Sequence, residues 1–314
     1  MSLSAIHNSF ISLVRLGIGH SCNTQLLSIE WTDVKAIATC QGLSAIVLDG
    51  VEGLSREQCP PQAFLLSWIG EVLNCYENNY SQYEKRIGQL AHFYNSHDYR
   101  MMVIKGYGLS LNYPKPSHRP CGDIDIWLFG HQKEADALLR QEKGIKVDTS
   151  HHHHSVFQFE GYTVENHFDW VNIYGHKSGA ELERIFKELA QDDSNWVDVN
   201  GEKVYLPSAN LHALFLLRHT MLHFTSTSMT LRQILDWAFF VKRHRDEIDW
   251  VWLVSVLERY NMKDFYNCIN AICVEDLGFE SGLFGEAQFS LGLKERVLMD
   301  TLSPEFTEGS RLYI

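Results

Sequence analysis

Residues 101–129 read MMVIKGYGLSLNYPKPSHRPCGDIDIWLF, and this stretch decides the fold. A short apolar run, Met101 to Ile104, is followed by the turn Lys105-Gly106-Tyr107-Gly108 and then by a Pro-rich basic loop holding Lys115, His118 and Arg119. The stretch closes on Gly122-Asp123-Ile124-Asp125-Ile126-Trp127, whose alternation of acid and apolar residues has the period of a β-strand. A strand from Asp123 onward places Asp123 and Asp125 on one face, with Ile124 and Ile126 on the other. Two neighbouring carboxylates on a half-buried strand repel unless a cation lies between them. Oxygen-only donors favour Mg²⁺ or Mn²⁺ over Zn²⁺. The glycine-punctuated turn upstream offers backbone N–H groups of the kind that hold phosphates. Strand, turn, basic loop and acidic strand in that order describe a site for a metal-chelated nucleoside triphosphate.

At these residues the chain resembles the DNA-polymerase-β-like nucleotidyltransferase superfamily, whose members carry a glycine turn, a spacer and an acid-apolar-acid strand. It is most similar to the bacterial group called uncharacterised nucleotidyltransferases, through Lys105-Gly106, Tyr113-Pro114, Arg119 and Asp123-Ile124-Asp125. Farther on, Val164-Glu165-Asn166-His167 matches that group's strand of apolar-Glu-apolar-His, with Asn166 in an apolar position. The resemblance implies that Glu165 is a third carboxylate beside Asp123 and Asp125, and that these three are catalytic and hold the metal. It implies nucleotide binding by Lys105, Gly106, Tyr107, Gly108 and Arg119. His167 becomes a candidate substrate contact. The segments LLRHTMLH (216–223) and LRQILDW (231–237) also match, which adds His219 and Arg232 as candidate substrate contacts. Two departures stand out: Tyr107 replaces the serine or second glycine of the wider superfamily's turn, and the spacer to Asp123 is long.

The totals narrow the partners. The chain has 314 residues and a net charge of −12, whereas a protein built on a nucleic-acid backbone normally shows a basic face. A small molecule or a protein is therefore the expected acceptor, and nucleic acid is disfavoured. No run of eighteen apolar residues marks a membrane span. The N-terminal MSLSAIHNSFISLVRLGIGH reads as an amphipathic helix rather than a signal peptide. Seven scattered cysteines, without a C-x-x-C, read as reduced thiols of a cytoplasmic protein.

The fold class expected is α+β: a small mixed β-sheet nucleotidyltransferase core between two helical regions. Residues 1–99 form the N-terminal helical region, 100–206 the α/β core and 207–314 the C-terminal helical domain. In the first, Phe10, Leu13 and Val14 mark a helix ending near Gly17 or Gly19, and Trp31 opens a second. Pro60-Pro61 starts a long helix reaching past Tyr83 to Tyr94. Leu43 to Leu48 is apolar and of ambiguous type.

In the core, His131 to Lys143 is a helix ended by Gly144. Val156 to Glu160 and Thr163 to Val171 make a hairpin about Gly161-Tyr162, with Glu165, His167 and Asp169 on one face and Asp169 the fallback carboxylate. Asn200-Gly201 makes a second hairpin of type I′. The run His151 to His154 resembles a tag but is internal, and alternation splits it between two sheet faces. Adjacent strand residues do not easily share one zinc ion. In the last region Ser208 caps a helix through His223, with His212, His219 and His223 near one face, and Arg232 and Asp236 are spaced for an ion pair. The tail from Gly285 is weakly patterned.

The expected activity is transfer of an NMP from an NTP to a hydroxyl-bearing acceptor with release of pyrophosphate, dependent on Mg²⁺ or Mn²⁺. The two departures in the turn motivate an alternative, a catalytically inactive nucleotide-binding or protein-interaction module on the same fold. A zinc hydrolase built from the histidines is the third reading.

Overall fold

A computed structural model of the chain describes residues 3–22, 29–171, 177–226, 228–284 and 291–303. The chain divides into an α/β unit, Asn78–Leu111 with Cys121–Phe215, and a helical unit, Met1–Glu77 with Asn112–Pro120 and Leu216–Ile314. The three consecutive segments read from the sequence thus contribute to two interleaved units, and the basic loop belongs to the helical one.

Short apolar segments and hairpin turns build the α/β unit. Its strands are β1 (Met102–Val103), β2 (Ile124–Trp127), β3 (Val147–Asp148), β4 (His154–Phe159), β5 (Tyr162–His167), β6 (Trp196–Val199) and β7 (Glu202–Tyr205). They form one mixed sheet in the order β3-β4-β5-β2-β1-β7-β6. The central strand β2 runs antiparallel to β1 and parallel to β5, in a register that sets Asp125 opposite Glu165 and Trp127 opposite His167. Both expected hairpins form, the first turning at Glu160-Gly161, one residue before the expected Gly161-Tyr162, since Tyr162 already pairs with Phe159. Glu160 and Gly161 have φ of 50° and 92°, and Asn200 and Gly201 have φ of 56° and 86°. Paired positive φ is what a two-residue I′ turn demands. Strand β5 stops at His167, short of the expected Val171, because the Phe168 and Asp169 amides both turn to the His153 carbonyl.

The helical unit opens with α1 (Ala5–Gly17), α2 (Trp31–Cys40), α3 (Ser44–Val51) and α4 (Gln62–Val72). Residues Leu73–Glu77 wind as a π-helix, so the single long helix expected from Pro60 is interrupted, and α5 (Asn78–Asn95) follows in the α/β unit. There α5 lays Tyr83, Ile87, Leu90, Ala91 and Tyr94 into a core shared with Val103, Ile124, Ile126 and Val164. Each such large apolar side chain contributes about 1.5–3 kcal/mol by leaving water.

Helices α6 (Tyr107–Ser110), α7 (Gln132–Lys143) and α8 (Lys177–Leu189) complete that unit, and α7 ends at Gly144 with φ 65° as expected. Helix α9 (Ala209–Ser226) contributes its residues through Phe215 to the α/β unit and the rest to the helical unit. The helical unit continues with α10 (Leu231–His244), α11 (Trp250–Arg259), α12 (Lys263–Ala271) and α13 (Leu291–Leu302). The last of these gives part of the weakly patterned tail a helical form, while residues 285–290 and 304–314 lie outside the described residues.

The ambiguous segment at Leu43 proves helical, and the reason is a close crossing. A Cβ built on Gly17 would lie 1.9 Å from the Ile46 carbonyl oxygen, and one on Gly50 would lie 2.1 Å from that of Leu13. The two glycines let α1 and α3 meet backbone to backbone. No helix among the described residues is long and apolar enough to cross a membrane.

Candidate active site

The central strand puts a charge where a side chain loses its water. Asp125 is 2% exposed, and β2 is buried along its whole length rather than on one face. A carboxylate there requires cationic partners. It has two, both from neighbouring strands' ends. The Lys105 ammonium lies 2.8 Å from Asp125 Oδ1, and His167 Nε2 lies 3.0 Å from the same oxygen. Lys105 comes two residues after β1, and between them the Ile104 amide bonds the Asp125 carbonyl at 3.0 Å, so the β1–β2 pairing delivers the lysine to the aspartate. Burial alone would raise the Asp125 carboxyl, but Lys105 and His167 together hold it well below the usual carboxylate range. The same contacts, against opposing burial, raise the Lys105 ammonium and the His167 imidazolium above their ordinary values.

Glu165 arrives through the β2–β5 register. Its carboxyl oxygen is 3.6 Å from His167 Nε2, and Asp125, Glu165 and His167 offer ligand atoms within 4.8 Å of one another. The hydrogen bond from His167 is the main cause that lowers the Glu165 carboxyl, so Glu165 is ionised at neutral pH. Asp123 differs from expectation. The strand begins at Ile124, leaving Asp123 in the bend before it, exposed and outside the group of close ligand atoms. The side chain that directly opposes Asp125 is Glu165, not Asp123. Desolvation by the surrounding protein raises the Asp123 carboxyl, and the negative charges of Asp125 and Glu165 raise it further.

The turn is held from an unexpected side. Tyr83 on α5, fully buried, donates its hydroxyl to the Asp123 carbonyl at 2.8 Å. Gly106 has φ +51°, and a Cβ there would sit 2.3 Å from the same hydroxyl. Glycine is thus required at position 106, and the tyrosine that requires it reads in the sequence only as a core aromatic. The other turn residues look inward. Tyr107 is buried, with its hydroxyl bonded to Glu84 at 2.7 Å, and the Gly108 amide bonds the Lys105 carbonyl at 3.1 Å.

Arg119, expected at the phosphates, sits in the helical unit. Its Nε and Nη2 form a two-point pair with Asp236 at 2.7 and 2.9 Å, buried on both sides, and Tyr113 donates its hydroxyl to the same carboxylate at 2.7 Å. Asp236 therefore pairs with Arg119 and not with Arg232, which instead donates to the Pro120 carbonyl at 3.1 Å. Lys115 and His118 of the same loop both bind Asp49, at 2.5 and 2.7 Å. The loop's basic side chains are engaged by acids, because buried or half-buried carboxylates in the helical unit satisfy them. His219 lies 3.1 Å from His223, Nε2 to Nε2, in the helical unit. Among the described residues neither belongs to a group of three or more close metal-ligand side chains. The fallback Asp169 pairs with Lys187 at 2.5 Å, outside β5.

Asn166, the departure from an apolar position, has a physical reason. It is fully buried on the opposite face of β5 and donates to Asp136 of α7 at 2.9 Å, beside Gln132 and Ser155. The histidine run also departs from expectation. Residues 151–153 form a bend and only His154 lies in β4, so alternation does not separate the rings. Burial pushes the His154 imidazole down to about 4 and lowers that of His153.

Among known proteins, the profile of the family described as "Uncharacterised nucleotidyltransferase" matches residues 28–278. The chain belongs to that family, and its enzyme class is accordingly that of a nucleotidyltransferase. No curated protein matches the sequence. Two solved structures are similar in part. The antibiotic-resistance factor ANT(2'')-Ia matches at 9% identity and a TM-score of 0.40, over 58% of this chain and 92% of that one. An antigenic nucleotidyltransferase-like protein from Paracoccidioides brasiliensis matches at 13% identity and a TM-score of 0.40, over 68% of this chain and 96% of that one.

Proposed function

We propose that the chain transfers a nucleoside monophosphate from an NTP to an acceptor hydroxyl and releases pyrophosphate, with Asp123, Asp125 and Glu165 as the carboxylates of the site. The observation that carries this reading is the register of β2 and β5, which sets Asp125 opposite Glu165 with their oxygens gathered on His167. Two acids, Asp125 and Glu165, meet there beside one lysine and one histidine, and the charge of the exposed Asp123 adds to theirs, an excess of negative charge that a divalent cation relieves. The donor set fits Mg²⁺ or Mn²⁺: Asp125 and Glu165 are ionised, and Asp123, exposed in the bend before β2, supplies a third carboxylate. When bound, such an ion supplies positive charge to the triphosphate and acidity to the acceptor hydroxyl.

The remaining roles belong to the chain's own side chains. Lys105 keeps Asp125 ionised within the fold, and its ammonium supplies positive charge for an arriving polyphosphate. His167 holds Asp125 by donating from Nε2 and, when protonated, sets a positive charge 3.6 Å from Glu165. Glu165, unprotonated at neutral pH, is able to take the acceptor's proton. Gly106 lets the turn approach the strand closely. Arg119 acts as a strut within the helical unit rather than as a phosphate ligand. The net charge of −12 favours a small-molecule or protein acceptor over nucleic acid.

The engagement of Arg119 by Asp236 and of the Gly108 amide by the turn itself favours a second reading, a nucleotide-binding or protein-interaction module without catalysis. Incubating the full chain with α-labelled NTPs, Mg²⁺ or Mn²⁺, and cell extract separates the two. Transfer predicts a labelled acceptor that disappears with Asp125→Asn. Nucleotide binding without any labelled acceptor contradicts transfer and supports the module.

A further inference from the structure

His154 and His167 face each other directly across the antiparallel β4–β5 ladder, so their side chains lie on one face. A third imidazole joins them from outside the strand. Because residues 151–153 form a bend, His153 escapes the alternation that would send it to the opposite face. Its ring centroid lies 4.3 Å from that of His154 and 5.8 Å from that of His167. The backbone fixes this position, since the His153 carbonyl accepts from the Phe168 and Asp169 amides at 3.0 and 3.1 Å. One ring nitrogen from each of the three lies within 4.8 Å of the others. His154 is 7% exposed, and its buried Nδ1 has no hydrogen-bond partner, the nearest carboxylate oxygen being that of Glu165 at 3.8 Å. A buried polar atom left without a partner is costly, and a metal ion is one group that satisfies an imidazole nitrogen.

We propose that His153, His154 and His167 form a binding site for a d-block divalent ion such as Zn²⁺, adjoining the carboxylates of Asp125 and Glu165 and distinct from them in chemistry. Imidazole nitrogen selects zinc, nickel or copper, whereas the carboxylate oxygens select magnesium or manganese. Zinc–nitrogen bonds of about 2.0–2.1 Å in a tetrahedral site bring donors to roughly 3.4 Å apart. The half-buried His153, in a bend, is the ring free to close that distance. An ion held this way ties the bend before β4 to the end of β5. It also shares His167, whose Nε2 already lies 3.0 Å from Asp125.

The test uses the untagged full chain and does not depend on nucleotidyl transfer. Calorimetric titration with ZnCl₂ should give one ion per chain, and thermal unfolding should shift upward with added Zn²⁺. His153→Asn, in the bend, and His154→Asn should each weaken Zn²⁺ at least tenfold and abolish the thermal shift. Asp123→Ala should leave Zn²⁺ affinity unchanged. His153→Asn changes a half-buried bend residue and tests the site even if His154→Asn does not fold. Absence of stoichiometric Zn²⁺, binding that survives His153→Asn at full strength, or binding lost in Asp123→Ala would each overturn the proposal. An NTP that fails to label any acceptor bears only on the transfer reading and leaves these outcomes as they stand.

Discussion

Single residues show how a buried charge is tolerated and what it then dictates. Asp125 is held by Lys105 and His167, and Asp236 by Arg119 and Tyr113; each is an acid in a protein interior with its partners supplied by sequence-distant segments. Asp236 makes the sign of the pH dependence plain. Burial alone would raise its carboxyl, but Arg119, with help from Arg232 and Tyr113, holds it below the ordinary value. A depressed carboxyl contributes stability that is present above the unfolded pKa, about 3.9, and is lost as pH falls through the folded one. Asp236→Asn leaves Arg119 buried without its counter-charge and should cost about 3–5 kcal/mol at pH 7 in urea unfolding. Below about pH 4 the gap between the two proteins should narrow, since protonated Asp236 comes to resemble asparagine. A gap that stays constant from pH 7 to pH 3 would show that the pair carries no charge-dependent stability.

At the level of elements, the close approach of α1 and α3 and the register of β5 on β2 are the features on which most depends. Gly50→Ala pushes a methyl group toward the Leu13 carbonyl across that crossing, at a distance no real Cβ adopts. Overpacking of this kind costs about 1–3 kcal/mol and at times more, so the variant should unfold at lower denaturant; an unchanged midpoint would mean the two helices separate freely. The elements most legible in the sequence are those whose signals are local. Alternation marked β2, β4 and β5; Asn200-Gly201 and Gly161 marked the hairpin turns; Gly144 marked the end of α7. Glu165 came from resemblance and proved to stand opposite Asp125. What stayed hidden depends on distant partners. Arg119 meets an aspartate 117 positions away, so a loop that reads as a phosphate clamp belongs to the helical unit. Tyr83 meets the Asp123 carbonyl 40 positions on, which no periodicity reveals. Asp123 fell outside β2 because the strand starts one residue later than alternation suggests, and Asn166 is polar because Asp136 lies beneath it.

On the scale of the whole molecule, two interleaved units carry separate tasks: the α/β unit gathers the acids, and the helical unit engages the basic loop. A nucleotidyltransferase of net charge −12 requires local cations at its site; Lys105 is one, and the divalent ion of the proposed function would be a second. The measurement that tests this most directly is calorimetric titration of the full chain with a non-hydrolysable NTP and Mg²⁺, for the natural sequence and for Asp125→Asn with Glu165→Gln. Both substitutions keep shape and remove charge; because Asp125→Asn leaves Lys105 without its counter-charge, circular dichroism first establishes that the double variant is folded at the titration temperature. Saturable, Mg²⁺-dependent binding that weakens at least tenfold in the double variant is the predicted result. Equal binding by the two proteins, or binding indifferent to Mg²⁺, would contradict the assignment of these carboxylates to a metal–nucleotide site.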